Sequence, residues 1–496
     1  MTIFSKFTGG TLLLSLGLLA AGCGKSFLDE SPTDQVTDAN FYKTANDAIQ
    51  ATTAIYSELG KGGQYNYALW GIGDIGSDIS YTGGGGGGDG IEQQQLDRYG
   101  LIPPTNPLTS RLWGGCYIGI GRANIVLQKV PAMQIDPAIQ NRSIGEAEFL
   151  RAKYYFDLVR AYGDVPLLTS PPTTLAEVNV ARSPVASVYA LIEKDLLDAI
   201  TKLPASYSGD DIARATKWAA TALLAKVYLT EGKLPEAATQ AQSVISSSGK
   251  ALWDNYGDNF KVSTENGKES LFEVQYVSGR NGYTFDGLGF CGNEFFGPRG
   301  QGIVPQGGYG FNIPEKEFVD GYETGDKRRD VTIWKPGDAY PAGSASASQP
   351  ASLPGSPHGY GCKKWFVGKV NTNIWDSELN IPVLRLAEVY LILAEAVGPT
   401  TEGLEAINKV RRRAFGQPVN TAGAHDLAAS LGAPAFKTAV WRERKYELAF
   451  ENDRWFDMKR TGELLTYRGV QPYNIVLPIP QSERDVNSGL TQNPGY

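Results

Sequence analysis

GEAEFLRAKYYFDLVRAYGDVPLL, residues 145–168, is the stretch that decides the fold class. Phe149, Ala152, Phe156 and Val159 recur at helical spacing, and Leu150, Tyr154, Leu158 and Ala161 widen the apolar stripe. Glu146, Arg151, Lys153 and Arg160 remain for the polar side, and Gly163-Asp164 with Pro166 stops the helix. Further helices are expected at about 38–59, 109–130, 184–202, 214–231, 234–248, 383–397, 401–414 and 436–460. Two of these pairs share one spacing. Ala225, Tyr228, Ala237 and Ala241 are matched interval for interval by Ala394, Val397, Ala406 and Val410. Small residues at such intervals let antiparallel helices approach closely, the packing logic of tetratricopeptide units. The expected fold is mainly α, a scaffold of stacked helix hairpins.

Long insertions interrupt that scaffold near 60–108 and 278–380. The first holds YTGGGGGGDG (81–90) with Tyr65, Tyr67, Trp70 and Tyr99 around it. The second holds Tyr283, Phe285, Phe290, Phe295, Phe296, Tyr309 and Phe311 among glycines, then Trp334, Tyr340, Trp365 and Trp375 around the segment PAGSASASQPASLPGSP (341–357), which reads as mobile. LFEVQYV (271–277) alternates and reads as a short strand. Loops of this length are functional or disordered, and their aromatic content argues for function. Tyrosine and tryptophan on such loops offer flat apolar faces with a polar edge, which suits the C–H faces and hydroxyls of sugars. The competing reading is that these rings pack the loops onto the helices.

Composition narrows the classes. With 42% hydrophobic and 20% charged residues, the chain can bury a large core. Its formal charge is −7, and no basic run exceeds Arg411-Arg412-Arg413, so a nucleic-acid partner is not expected. Lys6 followed by TLLLSLGLLA (11–20) and Ala20-Ala21-Gly22-Cys23 reads as a leader, residues 1–22, ending in a lipobox-like site. Ala20 stands where a lipobox prefers leucine. Cys23 would become the acylated first residue of the mature chain, and multiple acyl chains on it would anchor the protein firmly. Cys116, Cys291 and Cys362 are too scattered for a metal knuckle and read as small buried residues. With only His358 and His425, a zinc site built on several histidines is impossible.

Catalytic and cofactor motifs fail their context. GIGDIG (71–76) and GLGFCG (287–292) fit G-x-G-x-x-G, but neither follows a convincing strand and opens a helix. The glycine run lacks the Lys-Ser/Thr of a phosphate loop, and no G-x-S-x-G elbow occurs. Asp326 and Asp330, around Lys327-Arg328-Arg329, read as a solvated or ion-paired turn. Arg151, Arg385, Glu388 and Glu395 read as buried pairs that lock helix packing. The same holds for Arg442, Arg444, Glu447, Glu451, Asp453 and Arg454. No catalytic residue, metal or cofactor is assigned.

Several segments resemble the SusD/RagB family of Bacteroidetes outer-membrane nutrient-binding lipoproteins. They run in order from CGKSFLDESPTDQVTDANFYKTANDAIQATTAIYSEL (23–59) through the opening stretch and ARSPVASVYALIEKDLLDAI (181–200). RATKWAATALLAKVYL (214–229), ESLFEVQY (269–276), GDKRRDVT (325–332) and IPVLRLAEVYLILAEA (381–396) follow. RERKYELAFENDRWFDMKRTG (442–462) and LPIPQSERDVNSGLTQNPGY (477–496) complete the set. The resemblance implies about eight scaffold helices in a tetratricopeptide-like stack, with a few short strands and one domain over 23–496. It also implies an oligosaccharide ligand captured at the cell surface, no catalysis, and a SusC-like TonB-dependent β-barrel transporter as partner. A peptide-binding member of the same family, a secreted glycoside hydrolase and a pure protein-interaction scaffold are the alternatives. Family ligand contacts sit in variable loops, so the candidate contacts rest on loop position and chemistry alone: Tyr65, Trp70, Asp74, Asp78, Tyr81, Asn293 and Arg299. The glycine run is expected to be ordered either by the ligand or by the barrel.

Overall fold

The computed structural model describes residues 41–496 apart from 101, 175, 176, 178, 281 and 370–373. The expected leader and Cys23 lie outside the described residues. The frame is built from α1 (Ala45–Tyr56), α2 (Pro107–Lys129), α3 (Pro137–Tyr162), α4 (Val185–Lys202), α5 (Lys217–Glu231) and α6 (Leu234–Ser247). It continues with α7 (Leu386–Val397), α8 (Thr401–Ala414), α9 (Ala433–Glu447) and α10 (Arg454–Thr461). Side-chain oxygens of Thr44, Asn106, Asp136, Thr216 and Thr400 cap α1, α2, α3, α5 and α8, each cap contributing about 1 kcal/mol. From α2 to α8 each helix packs on the next in chain order, α1 packs on α2 and α3, and α9 returns onto α7. The mainly helical stack of hairpins is therefore the observed architecture. Ala225, Ala237, Ala241, Ala394, Ala406 and Val410 are buried where the repeated spacing places them. Gly232, left-handed at φ +78°, turns α5 into α6.

The decisive helix differs from its expected amphipathic form. From Gly145 to Tyr162 every residue of α3 is buried, because other helices and loops surround it. Its polar side consequently meets charges instead of water. Glu146 pairs with Arg214 at 2.9 Å, Arg151 with Asp195 at 2.8 Å, and Lys153 with Asp157 at 2.5 Å. Arg160 joins Asp157 to Asp453, at 3.0 and 2.6 Å. A second buried network ties the C-terminal helices together as expected. Arg385, Arg413 and Arg328 converge on Glu447, while Arg444 bridges Glu388 and Asp457. Burial alone would raise Glu447, but the three arginines prevail and hold its carboxyl well below the usual range. Asp326 belongs to this network through Arg328, so of the two readings of that turn, solvated or ion-paired, Asp326 takes the ion-paired one and is buried.

The expected helix over 436–460 is two helices. Phe450 and Asn452 adopt positive φ between α9 and α10, where the Asn452 carbonyl packs into the space left by the missing side chain of Gly73. Residues 60–108 are less loop-like than expected: Ala68–Trp70 runs into a wide turn over Gly71–Ile75, and Ile91–Asp97 is helical. Among the described residues, three antiparallel strand pairs tie the insertions down. β1 (Ser80–Gly83) pairs with β3 (Phe311–Pro314), aligning Tyr81 with Ile313. β2 (Ser270–Val274) pairs with β6 (Ile381–Arg385), and β4 (Ile333–Trp334) with β5 (Gly361–Cys362). The segment over 341–357, expected to be mobile, has a folded course. Buried Gln349 pins it by donating to the Gly359 carbonyl at 2.7 Å and accepting from Tyr340. Cys116, Cys291 and Cys362 are buried and unpaired.

Candidate ligand-binding site

The two insertions meet in a column of stacked aromatic rings. Tyr67 stacks on Phe285 at 4.0 Å between centroids, and Phe285 on Trp375 at 4.8 Å. Trp375 then stacks on Tyr283 at 4.8 Å with only 8° between planes. The column begins in the core, where Tyr67 is buried, and ends in solvent, where Tyr283 is 63% exposed. Phe295 supports it edge-on against Trp375 at 4.9 Å. Both outer rings sit on left-handed backbone, Tyr283 at φ +64° and Trp375 at φ +58°. Such residues cost about 1–3 kcal/mol each and persist only where their surroundings hold them. Here the Tyr283 N–H donates to the Ile374 carbonyl at 3.0 Å, locking the two loops together.

Polar groups rim the column. The Trp375 indole N–H donates to the Tyr309 hydroxyl at 3.2 Å, and Tyr309 in turn faces Gln306. Arg111 lies 5.9 Å from the ring centres of both Tyr67 and Phe285 and faces Asp286. Buried Glu294 accepts from the backbone N–H groups of Gln306 and Gly308, at 2.9 and 3.2 Å, and so shapes the turn that carries Tyr309. Burial pushes its carboxyl above the ordinary value, partly offset by those two N–H groups. The arrangement gives a flat apolar face with donors and acceptors at its edge. A separate apolar cleft of about 260 Å³ lies between α1 and β2, but its rings Phe272 and Tyr276 belong to the core.

The glycine run is ordered by the chain itself. Gly84 N–H donates to the Gly310 carbonyl, Gly85 N–H to Asp89 at 2.8 Å, and Asp89 pairs with Arg299 at 2.9 Å. Arg299 also donates to the Tyr309 carbonyl at 2.8 Å, so the run is coupled to the rim of the ring column. Only Gly86, Gly87 and Gly88 face open space.

Of the residues singled out in the sequence, several have packing duties that keep them from a ligand. Tyr65 and Trp70 are buried, the latter edge-on to Tyr67 and Phe296. Asp74 is fully buried and accepts from Asn452 N–H at 3.0 Å and the Asn312 amide at 3.1 Å. Asp78 is spent on Arg454 and Lys445, at 2.7 and 2.8 Å. Asn293 is buried and bonds Val367 N–H and the Gly368 carbonyl, fixing the loop before Trp375. Arg299 stays half-exposed beside the ring column, and Tyr81 lies half-buried in a different cleft. The rings that do form the column (Tyr67, Phe285, Trp375 and Tyr283) are visible in the sequence as loop aromatics. The usable signal is Tyr283 and Phe285 alternating within a glycine-rich turn.

Residues 268–474 match the model of the SusD family, and residues 91–229 match the model described as starch-binding associating with outer membrane. SusD-like protein P2 of Formosa agariphila is 29% identical, the alignment covering 99% of each chain. A solved laminarin binding SusD-like protein is 32% identical over 92% of this chain and 100% of its own, with a TM-score of 0.78. A SusD homolog from Bacteroides thetaiotaomicron is 27% identical over 93% of this chain and 99% of its own, with a TM-score of 0.77. The chain belongs to the SusD family.

Proposed function

We propose that the protein is a cell-surface glycan-binding lipoprotein that captures oligosaccharide and passes it to a SusC-like TonB-dependent transporter. Residues 1–22 would be removed, Cys23 acylated, and the remainder folded as one domain held at the outer membrane. Among the described residues no helix is long and apolar enough to cross a membrane. The observation that carries the binding reading is the ring column, whose exposed Tyr283 end offers a stacking face already held in place by Trp375 and Phe285. A preformed aromatic face limits the ordering cost of binding. Laminarin is the first ligand to test, because the 32% identical structure is a laminarin binding protein. The protein binds its ligand and does not cleave it.

Titration calorimetry on soluble protein starting at residue 24, with laminarin and laminarihexaose, tests the reading. Trp375→Ala removes the ring that joins Tyr283 to the core, and affinity is expected to fall at least about tenfold, equivalent to 1.4 kcal/mol. Unchanged affinity in Trp375→Ala overturns the assignment of the site, and shortened products after incubation overturn the absence of catalysis. Co-purification with a β-barrel from the native outer membrane tests the partner.

A further inference from the structure

A second cleft of about 590 Å³ opens where β1 meets β3, sharing no lining residue with the ring column. Tyr81 contributes a half-buried ring, its hydroxyl beside Ser356. Asp97 and Glu315 stand on either side of one cation: Arg468 lies 3.7 Å from Asp97 and forms an ion pair with Glu315. Asp97 is held in place by the N–H and hydroxyl of Thr82, at 3.2 and 3.3 Å, both to one carboxylate oxygen. Its other oxygen has only the long approach of Arg468, and Glu315 likewise accepts through one oxygen alone among the described residues. The cleft therefore keeps acceptors in hand next to a donor and an aromatic face. Its charges balance, with Asp97, Glu315 and Glu317 against Arg98, Lys316 and Arg468, and His358 at the rim.

We propose that this cleft is a second binding site, for a neutral saccharide, distinct from the ring column; the proposal rests on the reading of the chain as a glycan binder. The volume lies within the range of small-ligand clefts. A balanced set of charges selects neither a polyanion nor a polycation. Ionised carboxylates only accept hydrogen bonds and guanidinium groups only donate, so together they satisfy hydroxyls that do both. Burial raises the carboxyls of both Asp97 and Glu315, opposed at Asp97 first by the Thr82 N–H and then by Arg468, and at Glu315 by Arg468, which fits groups partly withdrawn from water around one shared cation. Tyr81 supplies the surface on which a sugar ring stacks. A saccharide engaging both places would do so across the glycine loop, which lies between β1 and the Arg299–Tyr309 rim.

The test is calorimetry of soluble protein starting at residue 24 with laminarihexaose, maltohexaose and cellohexaose, and with a sulfated dextran oligosaccharide as the anionic control. Expected is a second binding phase for a neutral hexaose that persists in Trp375→Ala. It should weaken at least fivefold in Tyr81→Ala and Arg468→Gln, and less in Tyr81→Phe, which keeps the ring. Circular dichroism melts of the variants report folding separately. The proposal is overturned by a single hexaose bound per chain, by a second phase indifferent to Tyr81→Ala and Arg468→Gln, or by preference for the sulfated ligand. Loss of all neutral binding in Trp375→Ala overturns the second site alone. If no variant, and not the parent protein, binds any hexaose, the glycan reading falls with it.

Discussion

Asp74 shows how a residue that reads as a ligand contact becomes a structural hinge pin. It lies in the core, where among the described residues it meets no contacting cation and takes an N–H from Asn452 and an amide from Asn312. Burial pushes its carboxyl up to about 7, against those hydrogen bonds and a more distant Lys364. The folded state therefore binds this proton more tightly than the unfolded chain does. Its contribution is fully present below the unfolded value near 3.8 and is lost as pH rises through about 7. Lys459, pushed down to about 7 by burial and Arg160, acts in the opposite sense, so the test must be a difference between proteins. Thermal melts of the parent and Asp74→Asn at pH 5 and pH 8 should show Asp74→Asn gaining relative stability at the higher pH, by roughly 2 kcal/mol. An equal offset at both pH values would exclude the ionisation of Asp74 as the cause.

Between elements, close approach is set by the smallest residues. A Cβ on Gly119 of α2 would lie 2.2 Å from the ring of Tyr154 on α3. Tyr154 cannot retreat, since it is buried and donates to the Ile55 carbonyl at 2.8 Å. Gly119→Ala is accordingly expected to force α2 and α3 apart and cost about 1–3 kcal/mol, read as a lower midpoint in urea with unchanged slope. Such helix-to-helix contacts were legible in the sequence because they recur: α5–α6 and α7–α8 announce themselves by the same run of small residues. The course of the loops was not. Asn293 reaches Val367 and Gly368, Gln349 reaches Gly359, and Asn312 reaches Asp74 across 238 residues. Nothing in an asparagine or glutamine tells which distant backbone it will satisfy. The polar side of α3 misleads for a related reason, because periodicity shows which side is apolar but not whether a neighbour covers the other.

Over the whole molecule, the net charge of −7 and the balanced cleft argue for a ligand held by stacking and hydrogen bonds. Affinity for a neutral oligosaccharide should then change less than twofold between 0.05 and 0.5 M sodium chloride, measured by calorimetry. A charged ligand would show a steep decline over the same range, as screening shortens to a few ångströms. The candidate site was legible only as a neighbourhood: the sequence marks aromatic loops, while the stacking that selects Tyr283 and Trp375 depends on the two ends of the second insertion folding together against Tyr67 of the first.

The burial of the three thiols has a practical side. Burial pushes Cys116, Cys291 and Cys362 upward, and thiols held in the protonated form inside a core react slowly. Protein starting at residue 24 also lacks Cys23. A cysteine introduced at Gly87, where a side chain meets open space, would thus be the fast-reacting thiol. A maleimide dye there would turn the glycine loop into an optical reporter beside the rim, following its position as sugar is added.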